Sequence, residues 1–250
     1  WLAEGFTSYY GGLTTRRAGF STDAEFAGSL SGEVNGIVNG SGRRYFSAVD
    51  MSRQAPFVDA AQSIDPQNRS NTFFSYYSFG EMIGLGLDLT LRSRFRAVTL
   101  DDFMGAMWLK FGKTEKPYTL GDVRLTLGEV THDQGFADDY FNRYVAGREI
   151  PDYQALLATV GFLLRKTRPG AAWLGDGAFS AAGGRVTLST SARVGQPIYL
   201  AGLERGDVII ALDGKRIMTS FDLDSVVARH QPGDAVEITF ESRGASVTNR

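Results

Sequence analysis

The sequence predicts a two-domain protein: a mainly helical part over residues 1–168, then a small β domain with one embedded helix over residues 169–250. Three observations carry that prediction. Apolar residues recur at three- and four-residue spacing through the first part. Thr-x-x-Asp capping boxes mark helix starts at Thr99 and Thr119. Beyond Pro169, short β-branched runs alternate with Gly- and Asp-containing turn dipeptides. At 250 residues the chain is long enough for two separate cores.

The chain opens on "WLAEGFTSYYGGLTTRRAG", a helical pattern. Wound at 100° per residue, Leu2, Phe6, Tyr9 and Leu13 share one side, and Glu4 points away from it. Ser8, Gly11 and Thr15 continue the Glu4 side, and Gly5 adds no bulk beside it, so something can approach closely. The stretch from Gly28 to Ser70 is rich in Gly, Ser, Asn and Pro and predicts long loops. A helix follows in "FFSYYSFGEMIGLGLDLTLR", which gathers Tyr77, Gly80, Glu81, Gly84 and Asp88 on one side. Asp88 and Arg92, at i and i+4, form a structural pair. "TLDD", "TLGD", "FADDYFNRYVAGRE" and "IPDYQALLATVGF" mark further helices, with Gly147 and Gly161 as stops.

"RPGAAWLGDGAFSAAGGRVTL" is the boundary between the two parts. The runs "RVTLST", "DVIIAL", "KRI" and "AVEITFES" predict a sheet of five or six strands, interrupted by a helix from Thr219 to His230 with Asp222 completing its cap. The chain starts inside a helical pattern and stops within a strand pair, so it reads as a fragment.

Composition excludes several functions. No apolar run approaches the ~18 residues of a membrane span. A net charge of −2 with 26 scattered Lys and Arg leaves no basic stripe for nucleic acid. Without cysteine there are no disulfides, thiolate zinc sites or Cys nucleophile, while cytosolic and exported settings both stay open. His132 and His230 are too far apart in sequence to share a helix face, which argues against a self-contained His-rich metal site. His132 reads as a surface or capping histidine; His230, at a helix end, complements the negative end of the dipole.

Two residues are candidates for chemistry. Glu4, on a small-residue helix face, can supply a hard oxygen ligand to Zn²⁺; most glutamates on such helices are simply solvated, and the residue alone leaves both readings open. Tyr77 stands next to glycines that leave room over its ring. A phenol, protonated at neutral pH, can donate a hydrogen bond to a developing oxyanion, although many tyrosines beside glycines serve packing alone. In the β domain, "PIYLAGLERGDVIIALDGKRI" carries no nucleophile. Its use is a groove between a strand and the helix at 219–230, where an extended peptide can add as a further strand.

These segments resemble a known family. "WLAEGFTSYY" is similar to the segment that follows the HExxH helix in gluzincin-type zinc peptidases, where the glutamate of W-x-x-E-G-F is the third metal ligand. "SYYSFGEMIGLGLDLTLR" resembles a later helix of the same enzymes, whose Y-x-x-G tyrosine stabilises the transition state. With "AGFSTDAEF", "SAVDMSRQAPF", "TLDDFMGAMWLKFGK" and "AGLERGDVIIALDGKRI" in order, the chain resembles the bacterial glycyl aminopeptidase family, metallopeptidases with a C-terminal PDZ domain.

The resemblance implies the helical C-terminal part of a thermolysin-like peptidase domain followed by a PDZ-like small β-barrel. It implies Glu4 as a zinc ligand, Tyr77 as the catalytic tyrosine with Tyr76 as the fallback register, and an aminopeptidase acting on peptides with a glycine-type preference, in a periplasmic or secreted setting. "AAWLGDG" is then a candidate carboxylate-binding loop. HExxH is absent from these 250 residues, so the remaining ligands and the general base are expected upstream, and this chain alone is expected to be metal-free and inactive. The competing reading is a non-catalytic scaffold that binds peptides through the PDZ-like groove.

Overall fold

The computed structural model describes residues 1–58 and 68–250. The chain divides into two compact units: Trp1–Ile64 with Phe73–Arg165, and Asp65–Thr72 with Lys166–Arg250.

The first unit is helical. Its elements are α1 (Leu2–Arg17), α2 (Asp23–Asn39), α3 (Ala48–Arg53) and α4 (Ala55–Val58); α5 (Arg69–Thr72) belongs to the second unit; then come α6 (Tyr76–Arg94), α7 (Leu100–Met107), α8 (Leu120–Thr131), α9 (Gln134–Tyr140) and α10 (Tyr153–Ala158). α6 is the axis. Phe79, Met82, Ile83, Leu85, Leu87 and Leu91 bury it on every side, the pattern of a helix enclosed by others, and α1, α2, α3 and α10 pack around it. The capping boxes read from the sequence are formed: Asp102 accepts from the Thr99 backbone and hydroxyl, and Asp122 does the same at Thr119. α7 and α9 each run on into a π-helical turn, at Trp108–Gly112 and Phe141–Val145, a widening no sequence pattern announced.

The expectation of long loops from Gly28 to Ser70 is overturned for α2. A capping box between Thr22 and Glu25 starts the helix, and Leu30, Val34 and Ile37 bury one face. Gly28, Gly32 and Gly36 fall on the open side, where a Cβ would touch nothing. Burial of the apolar stripe outweighs the ~1 kcal/mol each glycine costs in a helix. The part of that expectation at 59–67 lies outside the described residues.

The second unit is a six-stranded antiparallel sheet with helices on it: β1 (Phe179–Ala182), β2 (Arg185–Leu188), α11 (Pro197–Leu200), β3 (Val208–Leu212), β4 (Lys215–Arg216), α12 (Ser220–Val227), β5 (Ile238–Ser242) and β6 (Ala245–Asn249). The order is β1-β2-β3-β5-β6, with β4 paired to β3. Two-residue turns at Asp213-Gly214 and Arg243-Gly244 carry positive φ at both positions, the type I′ geometry whose twist matches paired strands. Val186, Leu188, Ile209, Leu212, Leu223 and Phe240 form the core. Asn71, on α5, is buried here: its Nδ2 donates to Ala192 O at 2.8 Å, and Val194 N–H donates to its Oδ1 at 2.9 Å.

Candidate functional site

In the first unit the site is organised by the crossing of α1 and α6. The two helices run in the same direction, since Gly5 meets Gly80 while Tyr9, one turn on, meets Gly84 and Asp88. At Gly5 and Gly80 the backbones touch. A Cβ on Gly5 would fall 2.6 Å from Glu81 N and closer still to the Gly80 backbone; a Cβ on Gly80 would fall 2.9 Å from Gly5 Cα and closer to the Trp1 carbonyl. Only glycine at both places permits this approach. The crossing sets the start of α1, with Glu4, and the first turn of α6, with Tyr77, at the same end of the pair.

The crossing is locked one turn further on. Asp88 is buried and accepts three hydrogen bonds: Tyr9 Oη at 2.8 Å, Arg92 Nε at 3.0 Å and Leu100 N–H at 3.0 Å. The Asp88–Arg92 pair is therefore present as the spacing predicted, with a wider role. Burial and the Asp88 carboxylate push the Tyr9 phenol up from its ordinary value. On other sides of α6, Tyr140 donates to Ile83 O at 2.8 Å and Tyr153 to Met82 O at 3.1 Å.

Glu4 is exposed, and its carboxylate makes no hydrogen bond or ion pair with a side chain among the described residues. Tyr77 is 40 % exposed; its ring lies 4.9 Å from that of Tyr76, and its hydroxyl makes no hydrogen bond among the described residues. Tyr76 is 7 % exposed and packs with Met51 and Val58, so the two tyrosines differ sharply in access. Beside α1, its small residues Ala3, Thr7 and Gly11 line a cavity of about 510 Å³ whose far wall carries Met104, Met107 and Trp108.

Sequence reasoning gave no role to Glu81. Its carboxyl is half-buried, and burial, with Glu33 adding repulsion, pushes it up to about 7. The signal was its place beside the glycines of α6. His132 caps the C-terminus of α8 in a left-handed conformation, φ 53°, and takes no part in the crossing. No group of three or more His, Asp or Glu able to hold a metal ion stands together among the described residues.

In the second unit, β1 is an edge strand bonded to β2 alone, and α12 packs beside it. Between them lies a groove of about 580 Å³, with Trp173, Leu174 and Gly175 at the loop, Phe179 on the strand, and Leu223 and Val227 on the helix. His230 lines it too; its Nε2 lies 3.0 Å from Asp213 Oδ2 and its Nδ1 3.7 Å from Asp234 Oδ2.

Comparison with known proteins follows the same division. Residues 1–83 match the family described as M61 glycyl aminopeptidase, and residues 180–248 match the PDZ domain. No curated protein matches the chain. Among solved structures, an aminopeptidase N family protein from Idiomarina loihiensis superposes with a TM-score of 0.80 at 24 % identity, over 98 % of this chain and 43 % of that one. The chain thus spans less than half the length of that relative, and the likeness is one of fold. An HtrA-type protease, AlgW, with tripeptide aligns over 40 % of this chain and 36 % of that one, at 24 % identity and a TM-score of 0.28. Residues 1–83 are thus similar to the glycyl aminopeptidase family, a peptidase family, and residues 180–248 to the PDZ domain.

Proposed function

We propose that the chain is the C-terminal portion of a zinc-dependent aminopeptidase that removes N-terminal residues, glycine among them, from peptides, and that its PDZ domain binds peptide in the β1–α12 groove. The observation that supports the peptidase part most is the glycine-on-glycine crossing, which puts Glu4 and an accessible Tyr77 at one end of two parallel helices. In this reading Glu4 is a metal ligand and Tyr77, rather than the buried Tyr76, is the catalytic tyrosine.

The described residues do not make a zinc site by themselves. Zinc needs three or four donors in fixed geometry; in this reading Glu4 is the one donor among the described residues, and the others belong to a part of the protein beyond them. When bound, zinc would supply Lewis-acid polarisation of the scissile carbonyl. The chain's own contribution is a hydrogen-bond donor: the Tyr77 O–H donates to the oxyanion as charge develops there. In the second unit, the free edge of β1 offers main-chain donors and acceptors to an extended peptide, and the apolar walls of the groove receive its side chains.

Two measurements test the reading. The purified 250-residue chain, incubated with zinc, should show no stoichiometric metal by equilibrium dialysis and no release of N-terminal glycine; turnover by this chain alone refutes the division of ligands. In the intact gene product, Tyr77→Phe should keep its metal and lose ~100- to 1,000-fold in kcat, while Glu4→Gln should lose metal. Full turnover by Tyr77→Phe removes Tyr77 from the chemistry.

A further inference from the structure

We propose that the cavity enclosed by α1, α2, α6 and α10 in the helical unit binds a small aliphatic carboxylate, its chain among leucines and its head group on the open edge of the Arg92 guanidinium. The cavity lies roughly two turns further along the helix pair than the Gly5–Gly80 crossing. It is separate from Glu4 and Tyr77, and the inference does not depend on the peptidase reading.

The cavity measures about 280 Å³, and its walls are apolar: Leu13 of α1, Leu30 of α2, Leu85 and Leu89 of α6, Leu157 of α10 and Phe162 beyond it. Four polar residues also line it, Tyr9, Arg17, Asp88 and Arg92. Three of them are already engaged. Tyr9 donates its hydroxyl to Asp88, Asp88 accepts three hydrogen bonds in all, and the Arg17 guanidinium reaches both oxygens of Asp101, at 3.2 and 2.9 Å. Arg92 is different. Its Nε donates to Asp88 Oδ1 at 3.0 Å, but neither Nη group makes a hydrogen bond among the described residues, and its side chain is 37 % exposed. Asp88 therefore fixes the guanidinium from below and leaves its outer edge open at the rim of the cavity. That edge, two nitrogens in one plane, matches the two oxygens of a carboxylate.

The class of ligand follows from size, polarity and charge. An apolar cavity of ~150 Å³ takes benzene, so this one takes roughly ten heavy atoms. A peptide is a poor occupant. The walls are helices whose main-chain groups bond to one another, and the turn after α10 closes its own, with Val160 and Phe162 N–H both donating to Leu157 O. Peptide amides inside would be buried without partners, whereas an aliphatic chain has none to satisfy. Asp88 opposes an anion, but Tyr9, Arg92 and the Leu100 N–H occupy its oxygens, and it is buried beneath Arg92. An ammonium head group at the rim meets a like charge.

Isothermal titration calorimetry of the 250-residue chain with octanoate, methyl octanoate and octylammonium tests this. Octanoate should bind at a single site, about tenfold or more tighter than its methyl ester, the range of a hydrogen bond to a charged group. Octylammonium should bind no better than the ester. Arg92→Lys keeps the positive charge and loses the planar fork, and should weaken octanoate severalfold. Val160→Trp fills the cavity from its mouth, where Val160 is 47 % exposed and takes no part in the Asp88 network. That variant should melt like the parent and bind no octanoate. Three results overturn the inference: no binding by the parent, equal binding of acid and ester, or octanoate held as tightly by Val160→Trp as by the parent, which puts the ligand elsewhere. Undiminished binding by Arg92→Lys refutes the assigned head-group contact and the proposal with it.

Discussion

Replacing Gly80 with alanine tests the close helix crossing around which the candidate site is arranged. In an open helix this change stabilises by about 1 kcal/mol. Here the new Cβ would stand 2.9 Å from Gly5 Cα and closer to the Trp1 carbonyl. Both obstacles are backbone, so no rotamer relieves them, and α1 has to move out by roughly 1 Å, a gap that forfeits a quarter to a half of each contact it opens. That interface buries Phe6 and Tyr9 against α6. Overpacking at the upper end of its range plus this loss gives about 3–4 kcal/mol, offset by about 1 kcal/mol of helix propensity. The net is a loss of about 2–3 kcal/mol, which lowers the Tm of the helical unit by about 5–10 °C. Differential scanning calorimetry of the whole chain reads this, with the two units fitted separately because a two-unit chain is not a single two-state system. Gly11→Ala is the control: a Cβ there meets nothing within 4 Å, and the variant should gain about 0.5–1 kcal/mol. If Gly80→Ala melts like the parent, or Gly11→Ala falls as far, the close crossing is not what holds α1 in place.

Three further outcomes follow from the same helices. Asp88→Ala strands the Tyr9 hydroxyl, the Leu100 N–H and the Arg92 guanidinium together, and should cost about 3–5 kcal/mol in urea unfolding; a loss under 1 kcal/mol would show that water replaces the carboxylate. Glu81, whose carboxyl burial raises to about 7, favours the fold when protonated, so its contribution is complete below the unfolded-state value near 4.5 and is lost as pH rises through about 7. Glu81→Gln should therefore gain on the parent in Tm between pH 4.5 and 7.5 and run parallel above that, and a pH-independent difference would contradict the burial. The Tyr153 phenol, raised mainly by burial, supports the fold fully below pH ~10 and progressively less above it. Measured against Tyr153→Phe, the parent should lose relative stability only in that alkaline range, and loss already at pH 8 would point elsewhere.

Much of this was readable from residues alone, and the exceptions have physical causes. The Thr-x-x-Asp boxes at Thr99, Thr119 and Thr219 were legible because a cap is local: four residues contain both halves of the hydrogen-bond exchange. The apolar side of α1 was legible for the same reason. α2 was not, because its glycines and serines signal turns, and only the burial of Leu30, Val34 and Ile37 by distant residues decides for helix. The two π-helical turns also depend on tertiary packing, and no spacing encodes them. At the candidate site, the glycines beside Tyr77 told of a close approach but not of its partner. That α6 takes Gly5 of α1, and that Asp88 serves Tyr9 and Leu100 as well as Arg92, needed three dimensions. The desolvation of Glu81 was invisible for the same reason, since its neighbour Glu33 sits far away in sequence.

The side chain of Asn71 acts for the second unit as a short length of borrowed strand, giving and taking one hydrogen bond with the backbone at Ala192 and Val194. The second unit is therefore not excised cleanly at Lys166. A truncation product of residues 166–250 would leave that carbonyl and that amide to solvent or to each other's loop, at about 1–3 kcal/mol for each group that stays buried. Expression boundaries for this domain should carry the helix of Arg69–Thr72 along, by circular rearrangement or as an added peptide, and recovery of stability by the added peptide would measure how much the loan is worth.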